Sequence, residues 1–311
     1  MKFVFLMDPL ETVSFETDTT FVMMLCAHRR GHDVYHVPED GIGFAEGKVY
    51  FHATKVAPQN IAHMPFREER AVRLSQDDIH AVFIRPNPPL DEQYIMNTWL
   101  LEHLPKHIAV INNPAGLRTV NEKVWVSRFK HLTPPTIISS DKKDLLDFVA
   151  RHKNVIAKPT DGFGGAGVFH IENGDSNTKV VLETLSDRYN KAIIVQKYVP
   201  QAQKGDKRIL LLDGEVLGAV LRLHEEGEHR NNFYAGGAPQ PATVDTNDKK
   251  IISILKPHLQ ELGLYFVGID ILGDFLIEVN VTSPTCLQEM NRLYNVKLEE
   301  KIIDFVENLL K

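Results

Sequence analysis

An unbroken apolar run over residues 3–7 stops at Asp8-Pro9, the pattern of a buried strand running into a loop. Over residues 19–30 apolar side chains recur at helical spacing (Phe21, Val22, Met24, Leu25), and Gly31 follows as a helix terminator. Short apolar runs over 34–37, 79–84 and 108–111 predict strands, with a helix over 94–104 between the last two. Arg85-Pro86-Asn87-Pro88-Pro89 cannot continue helix or strand, because proline lacks the N–H that either would need, so it reads as a stiff loop. Strands alternating with helices predict an open parallel α/β sheet.

Past Asn112-Asn113-Pro114-Ala115-Gly116 the pattern changes, and a domain boundary is expected just after it. Residues 122–152 predict helix, strand (136–138) and helix. A strand at 155–158 enters a glycine-rich stretch, and strands at 168–171 and 193–198 follow. Residues 208–212 and 215–222 flank Asp213-Gly214, a hairpin signal. Residues 224–237 are polar and glycine-containing and read as a mobile loop. A helix at 249–262, a second hairpin at 266–272 and 275–279, and an amphipathic helix at 297–310 complete the chain, which has no internal repeat.

The 311 residues suit two or three domains. With 43% hydrophobic and 24% charged residues the chain has enough apolar surface to fold, which excludes a disordered class. Its 35 Lys plus Arg against 41 Asp plus Glu give a formal charge of −6, which argues against a bulk nucleic-acid binder. Two distant cysteines, Cys26 and Cys286, make neither a disulfide framework nor a zinc site, and reduced thiols in the cytoplasm are the simplest expectation. The first apolar run is too short for a secretory signal, and no stretch approaches the roughly 18 apolar residues of a membrane span.

Gly162-x-Gly164-x-x-Gly167 matches the dinucleotide fingerprint formally, but that fingerprint opens a helix and residues 168–171 read as a strand. Val168 also removes a Walker loop. What remains is a glycine loop between strands: a lid that lays backbone N–H groups over phosphates, or an ordinary turn. Lys158 favours the lid, since it precedes the loop on the same strand and its ammonium can reach what the loop covers. Lys123 is a second candidate, although most lysines are solvated surface groups.

Asp270, Glu278 and Asn280 fall on the second hairpin. Alternation puts Glu278 and Asn280 opposite an apolar face of Phe275, Ile277 and Val279, and Asp270 opposite Val267, Ile269 and Ile271. A three-residue loop at 273–275 would set Asp270 across from Glu278. Oxygen-only donors suit Mg²⁺, and the small polar run 281–285 that follows suits a substrate better than a merely solvated face would. His28 with His32 and His103 with His107 are interrupted by Gly31 and Pro105 and read as surface groups. No serine-hydrolase or protein-kinase motif is present.

Taken together, these residues resemble the ATP-grasp superfamily, and more closely the bacterial type of glutathione synthetase. The landmarks run in order through Met7-Asp8-Pro9, Arg29-Arg30-Gly31, Arg85 with Pro88-Pro89, Asn121-Glu122-Lys123, Lys158-Pro159, Gly164-Gly165, Gly205-Asp206-Lys207-Arg208, Ala235-Gly236-Gly237 and Glu278-Val279-Asn280-Val281-Thr282-Ser283-Pro284-Thr285. The resemblance implies an N-terminal α/β domain (1–119), then a two-part ATP-grasp fold made of a central lid (120–200) and a C-terminal domain (201–311), with ATP between the last two. It implies ligation of glycine to γ-glutamylcysteine through an acyl phosphate, giving glutathione, ADP and phosphate, in a cytoplasmic homo-oligomer, dimer or tetramer. Other readings are an ATP-grasp carboxylate–amine ligase with a different donor or acceptor, and a nucleotide-binding protein without catalysis, against which intact Lys158, Asp270, Glu278 and Asn280 argue.

Carried over from the resemblance, Lys123, Lys158, Gly162, Gly164, Gly165 and Gly167 would hold ATP phosphates, Gln196, Tyr198 and Val199 the adenine, and Asp206 the ribose. Asp270, Glu278 and Asn280 would bind Mg²⁺, with Mn²⁺ as an alternative, and Asn280, Ser283, Pro284 and Thr285 would contact substrate. Arg208, Arg222 and Arg230 would face the reacting carboxylate and phosphate, with residues 224–237 as the lid that excludes water. The chain departs from the usual pattern at Asn231 (commonly Gly), Ala238 (often Arg) and Asn87 (often Asp).

Overall fold

The computed structural model describes residues 1–223 and 238–311, and the candidate lid with Arg230 and Asn231 lies outside them. Three sheets organise the chain. The first contains β1 (Lys2–Leu6), β2 (Asp33–Val37), β3 (Ile42–Ala45), β4 (Lys48–Pro58), β5 (Phe66–Ser75), β6 (Ala81–Ile84) and β7 (Ala109–Ile111). Strands β2, β1, β6 and β7 are parallel neighbours in that order. Phe3, Val4, Phe5 and Leu6 are all buried, because a central parallel strand is covered on both faces; hence the unbroken apolar run.

Helix α1 (Thr19–Arg29) begins at Asp18, whose carboxylate accepts from the Phe21 N–H at 2.7 Å. It ends just before Gly31, whose φ of +84° suits glycine. Helices α2 (Glu92–Leu101) and α3 (Pro114–Thr119) complete the parallel half. The parallel sheet is extended by an antiparallel one: β4 pairs with β2 and β3 along one edge and β5 along the other. Arg67, Glu68, Glu69 and Arg70 of β5 are exposed, as suits a sheet edge.

The second sheet is antiparallel, in the order β10 (Phe169–Ile171), β9 (Val155–Pro159), β11 (Ile193–Lys197), β8 (Thr136–Ser139), flanked by α4 (Lys142–His152) and α5 (Thr178–Leu185). It keeps its own core of Leu145, Val149, Val155, Ala157, Ile171, Leu182, Ile193 and Val195. The helix expected from residue 122 is only a 3₁₀ turn at Trp125–Phe129. Backbone there is used differently: the Glu122 and Leu132 carbonyls accept from the Val279 and Leu276 N–H groups at 3.0 and 2.7 Å.

The third sheet runs β14 (Ala238–Pro241), β13 (Glu215–Leu223), β12 (Asp206–Leu212), β15 (Phe266–Leu272), β16 (Phe275–Asn280), with α6 (Thr246–Glu261), α7 (Leu287–Tyr294) and α8 (Leu298–Leu309). It shares its cores with the first sheet: Phe3, Phe5 and Phe83 pack in one cluster with Leu210, Phe266, Leu287 and Ile303. Buried Asn112 ties the two, donating to the Phe266 and Val281 carbonyls at 2.8 Å each and accepting from the Phe266 N–H at 2.8 Å.

Candidate active site

The second and third sheets face each other across a cleft. Ile156 and Lys158 of β9, Gln196 and Lys197 of β11, and Tyr198 and Val199 line one wall. Asp206 and Arg208 of β12, Arg222 of β13, Asp270 and Leu272 of β15, and Ile277, Glu278 and Asn280 of β16 line the other. The glycine loop joins β9 to β10 and contributes Phe163, Gly164, Gly165 and Val168. Gly164 and Gly165 have φ of +60° and +76°, so a side chain at either would be strained. Gly162 and Gly167 do not face the cleft; a Cβ on Gly162 would sit 2.7 Å from Pro159 Cγ.

The charged wall is a cross-strand row. Asp206 and Arg208 lie two apart on β12 and share a face. Asp206 is in register with Arg222, Arg208 with Asp270, and Asp270 with Glu278. The expected pairing of Asp270 and Glu278 is therefore present, but by a different route. The turn has two residues, Leu272 pairing with Phe275, and a bulge at Ile277 restores the register. The bulge also breaks the expected alternation: Leu276 and Val279 enter the core, and Ile277 turns to the cleft with Glu278.

Arg208 grips Asp270 with two N–H groups, the Nη2 to Oδ2 contact being 2.8 Å. Gly268 leaves room for it, since a Cβ there would lie 3.2 Å from Arg208 Cδ. Arg222 grips Asp206 bidentately and stands 3.0 Å from Asp270 Oδ2. Burial opposes ionisation of Asp270 most strongly, yet the two arginines together hold its carboxyl below the ordinary carboxylate range. Asn280 Nδ2 lies 3.4 Å from Asp270 Oδ2.

Lys123 Nζ donates to Glu278 Oε1 at 2.6 Å and also to the Gly162 carbonyl, so it links the glycine loop to the third sheet. Lys158 differs: it is 7% exposed, and among the described residues its ammonium has neither a hydrogen bond nor an ion pair. Burial, countered in part by Glu278, lowers its pKa from 10.5 to about 8. Tyr198 stacks on His170 with ring centroids 4.3 Å apart, and Gln196 donates to Thr136 Oγ1 at 2.8 Å. Ser283 and Thr285 line the cleft; Pro284 does not, and its carbonyl accepts from Arg85 instead.

Asp270, Glu278 and Asn280 offer two carboxylates and an amide, all oxygen donors. Among the described residues no group of three or more His, Cys, Asp or Glu could hold a metal by itself. Mg²⁺ takes one or two carboxylates and completes its shell with water and phosphate, so the two carboxylates and the amide oxygen are donors of the kind it needs.

Sequence reading did not single out Glu122 as a structural strut. Its Oε1 accepts from the Val281 N–H at 2.8 Å, the Thr282 N–H at 3.0 Å and Thr282 Oγ1 at 2.9 Å, fixing the loop that carries Ser283 and Thr285. The neighbouring Asn121 and Lys123 were a usable signal for it. Nor did alternation reveal Ile156, Leu272 and Ile277 as apolar lining of the cleft.

Among the described residues no helix is long and apolar enough to cross a membrane. Residues 1–118 match the prokaryotic glutathione synthetase N-terminal domain, and residues 122–295 match the prokaryotic glutathione synthetase ATP-grasp domain. The glutathione synthetase of Vibrio cholerae is 37% identical over 100% of this chain and 98% of its own length. That of Synechocystis is 37% identical over 99% of each chain, and that of Pseudomonas aeruginosa 35% identical over 96% and 95%. A D-cycloserine synthetase shares the fold with a TM-score of 0.67 at 15% identity, covering 99% of both chains. An ATP-grasp ligase of Chryseobacterium gregarium, solved with ADP, has a TM-score of 0.64 at 15% identity, covering 99% and 97%. With both domains matched in order and full-length relatives more than a third identical, the chain belongs to the prokaryotic glutathione synthetases, ATP-dependent ligases of the ATP-grasp fold.

Proposed function

We propose that the chain ligates glycine to γ-glutamylcysteine with ATP, giving glutathione, ADP and phosphate, in the cleft between its second and third sheets. One observation carries the assignment of the cleft: Lys158 is a buried ammonium that has no partner among the described residues, facing a row of paired carboxylates and arginines. A buried cation is stable only beside an anion, and a nucleotide phosphate supplies one.

Lys123, Lys158 and the backbone of Gly164 and Gly165 would hold the phosphates, with Gly162 and Gly167 shaping the loop. Gln196, Tyr198 and Val199, with Ile156, Leu272 and Ile277, would receive the base, and Asp206 the ribose. Mg²⁺, or Mn²⁺ in its place, would be held by Asp270, Glu278 and Asn280 and would supply positive charge against the negative charge of the phosphates. A carboxylate is a poor electrophile, so phosphoryl transfer to it must precede attack by the glycine amine, and anion must approach anion. Arg208 and Arg222 are placed to offset that repulsion. They rest on Asp270 and Asp206, whose carboxylates hold the two guanidinium groups in position. Arg230, which lies outside the described residues, would join them. Ser283, Pro284 and Thr285, fixed by Glu122, would position the substrate.

The reading also takes residues 1–119, 120–200 and 201–311 as three domains, and the active protein as a cytoplasmic homo-oligomer. The test is ADP release with γ-glutamylcysteine, with and without glycine. Release that requires both supports the reading, and release with neither or with an unrelated carboxylate refutes it.

A further inference from the structure

Thr136 of β8, Gln196 of β11, Ile156 of β9 and His170 of β10 form one cross-strand row in the second sheet, each in register with the next. Residues in register share a face of the sheet. Gln196 and Ile156 line the cleft, and Tyr198, which lines it too, stacks on His170. Thr136 stands one strand further out and does not line the cleft.

A glutamine amide accepts a hydrogen bond at one end and donates at the other, so its orientation decides what Gln196 shows to the cleft. The Thr136 hydroxyl carries a single proton and donates it to the Pro134 carbonyl at 2.8 Å. Pro134 is buried, so its carbonyl needs that donor. The Thr136 oxygen is left to accept, and Gln196 Nε2 donates to it at 2.8 Å. Turned over, the amide would set its own oxygen against that oxygen, or take the hydroxyl proton and leave the Pro134 carbonyl buried and unpaired. Gln196 is 6% exposed, and with Nε2 held by Thr136 its Oε1 is the end presented to the cleft. Purines differ at the matching position. Adenine carries a 6-amino group, which donates, whereas hypoxanthine and guanine carry a 6-carbonyl, which accepts.

We propose that Thr136 sets the base selectivity of the cleft: by locking the Gln196 amide with Oε1 inward, it admits a 6-aminopurine and rejects a 6-oxopurine. This rests on the reading of the cleft as the nucleotide site with the base beside Gln196. Thr136 acts through Gln196 and is a positioning residue.

The test measures Kd by calorimetry for ATP and for ITP, its 6-oxo counterpart, each with Mg²⁺ and without the other substrates. The wild type should bind ATP about 100-fold more tightly than ITP. Thr136→Val keeps the branched shape but removes the hydroxyl, which frees the amide to turn its NH₂ towards a 6-carbonyl. ITP should then bind about tenfold more tightly than it does to the wild type, with ATP changed by less than about threefold. Thr136→Ser retains the hydroxyl and should keep the wild-type ratio. Gln196→Leu has no amide to orient and should lower the ratio by about tenfold, which carries the test if Thr136→Val fails to fold. A merely structural role for Thr136 would weaken both nucleotides alike, and an unchanged ratio in Thr136→Val or in Gln196→Leu overturns the proposal. Equal wild-type affinity for ATP and ITP overturns it while leaving the nucleotide site standing. Binding of neither overturns the nucleotide site and the proposal with it.

Discussion

In the main cleft nearly every charge meets its opposite within the protein: Lys123 on Glu278, Arg208 on Asp270, Arg222 on Asp206. In an adjoining cavity, which shares Asn87, Ser283 and Thr285 with the cleft as a common wall, Arg85 and Glu289 lie without any partner of opposite charge closer than 3.9 Å among the described residues. The two regions are built from the same charged residue types, and Arg85 and Glu289, each 4% exposed, are more buried than Lys123 and Glu278 at 11% and 19%. The difference lies in how far each neutralises its own charges. A site that moves charge between phosphate and carboxylate keeps its ions neutralised by one another until those groups arrive. Lys158 is the exception in the first region, since its ammonium has no partner among the described residues.

Breaking the paired region should have the largest effect. Asp270→Asn leaves two buried arginines short of their counter-charge, which costs about 3–5 kcal/mol of folding stability, read as a lowered denaturation midpoint. Turnover should be lost as well. Unchanged stability would show that the arginines find other partners. Glu278→Gln is gentler on the fold, because Lys123 keeps the Gly162 carbonyl. Stability should fall by about 1–3 kcal/mol, since Lys123, only 11% exposed, loses its counter-charge while the glutamine oxygen can still accept from it. ADP release should fall about 100-fold or more, and near wild-type release at saturating Mg²⁺ would count against the metal assignment.

Lys158→Met removes the exception. ATP affinity should fall by about 10- to 150-fold, the loss of one charge-assisted contact, as measured by calorimetry. The fold should become more stable, not less, because an unpaired buried ammonium has gone. The sign follows from the direction of the shift. With the folded pKa lowered from 10.5 to about 8, the unfolded chain binds the extra proton between those values, so wild-type stability climbs with pH there. The gap between variant and wild type should therefore be full below about pH 8 and close towards pH 10.5. A constant gap would refute the lowered pKa.

The smallest effect belongs to the shared wall. Asn87 Nδ2 donates to Asp8 Oδ2 at 2.5 Å. Asn87→Asp would set two carboxylates side by side and cost about 0.5 kcal/mol at pH 7, a penalty that vanishes below about pH 4 as one of them protonates. A penalty independent of pH would point to geometry and not charge.

The core strands of the first sheet and both hairpins of the third were legible because burial writes itself as apolar runs or alternation. Strand β5 was not: Phe66–Ser75 is a charged edge exposed for most of its length, and nothing in its pattern separates it from a loop. The pairing of Asp270 with Glu278 was legible, but the bulge that produces it was not, since one extra residue leaves no mark on composition. In the main cleft the residues cluster in sequence around a few strands. In the adjoining cavity Asp18, Arg85 and Glu289 come from three distant segments that only packing unites, so no spacing could announce them.

The stitching of Glu122 and Leu132 to β16 has a consequence for how the chain could be rearranged. The second sheet leaves the third beside β16, where the Leu132 carbonyl meets Leu276, and returns at Asp206, the start of β12. Leu276 is in register with Ile271, and Ile271 with Lys207, so departure and return lie at the same level, three strand spacings apart. That gap is roughly 14 Å, a span four or five extended residues can bridge. With a core of its own, the second sheet has the anatomy of an inserted module. Its amides should exchange with solvent as one unit, at a lower free energy than those of the first and third sheets. Replacing residues 133–205 by a short flexible linker should leave a folded remainder that has lost one wall of the cleft and kept the adjoining cavity.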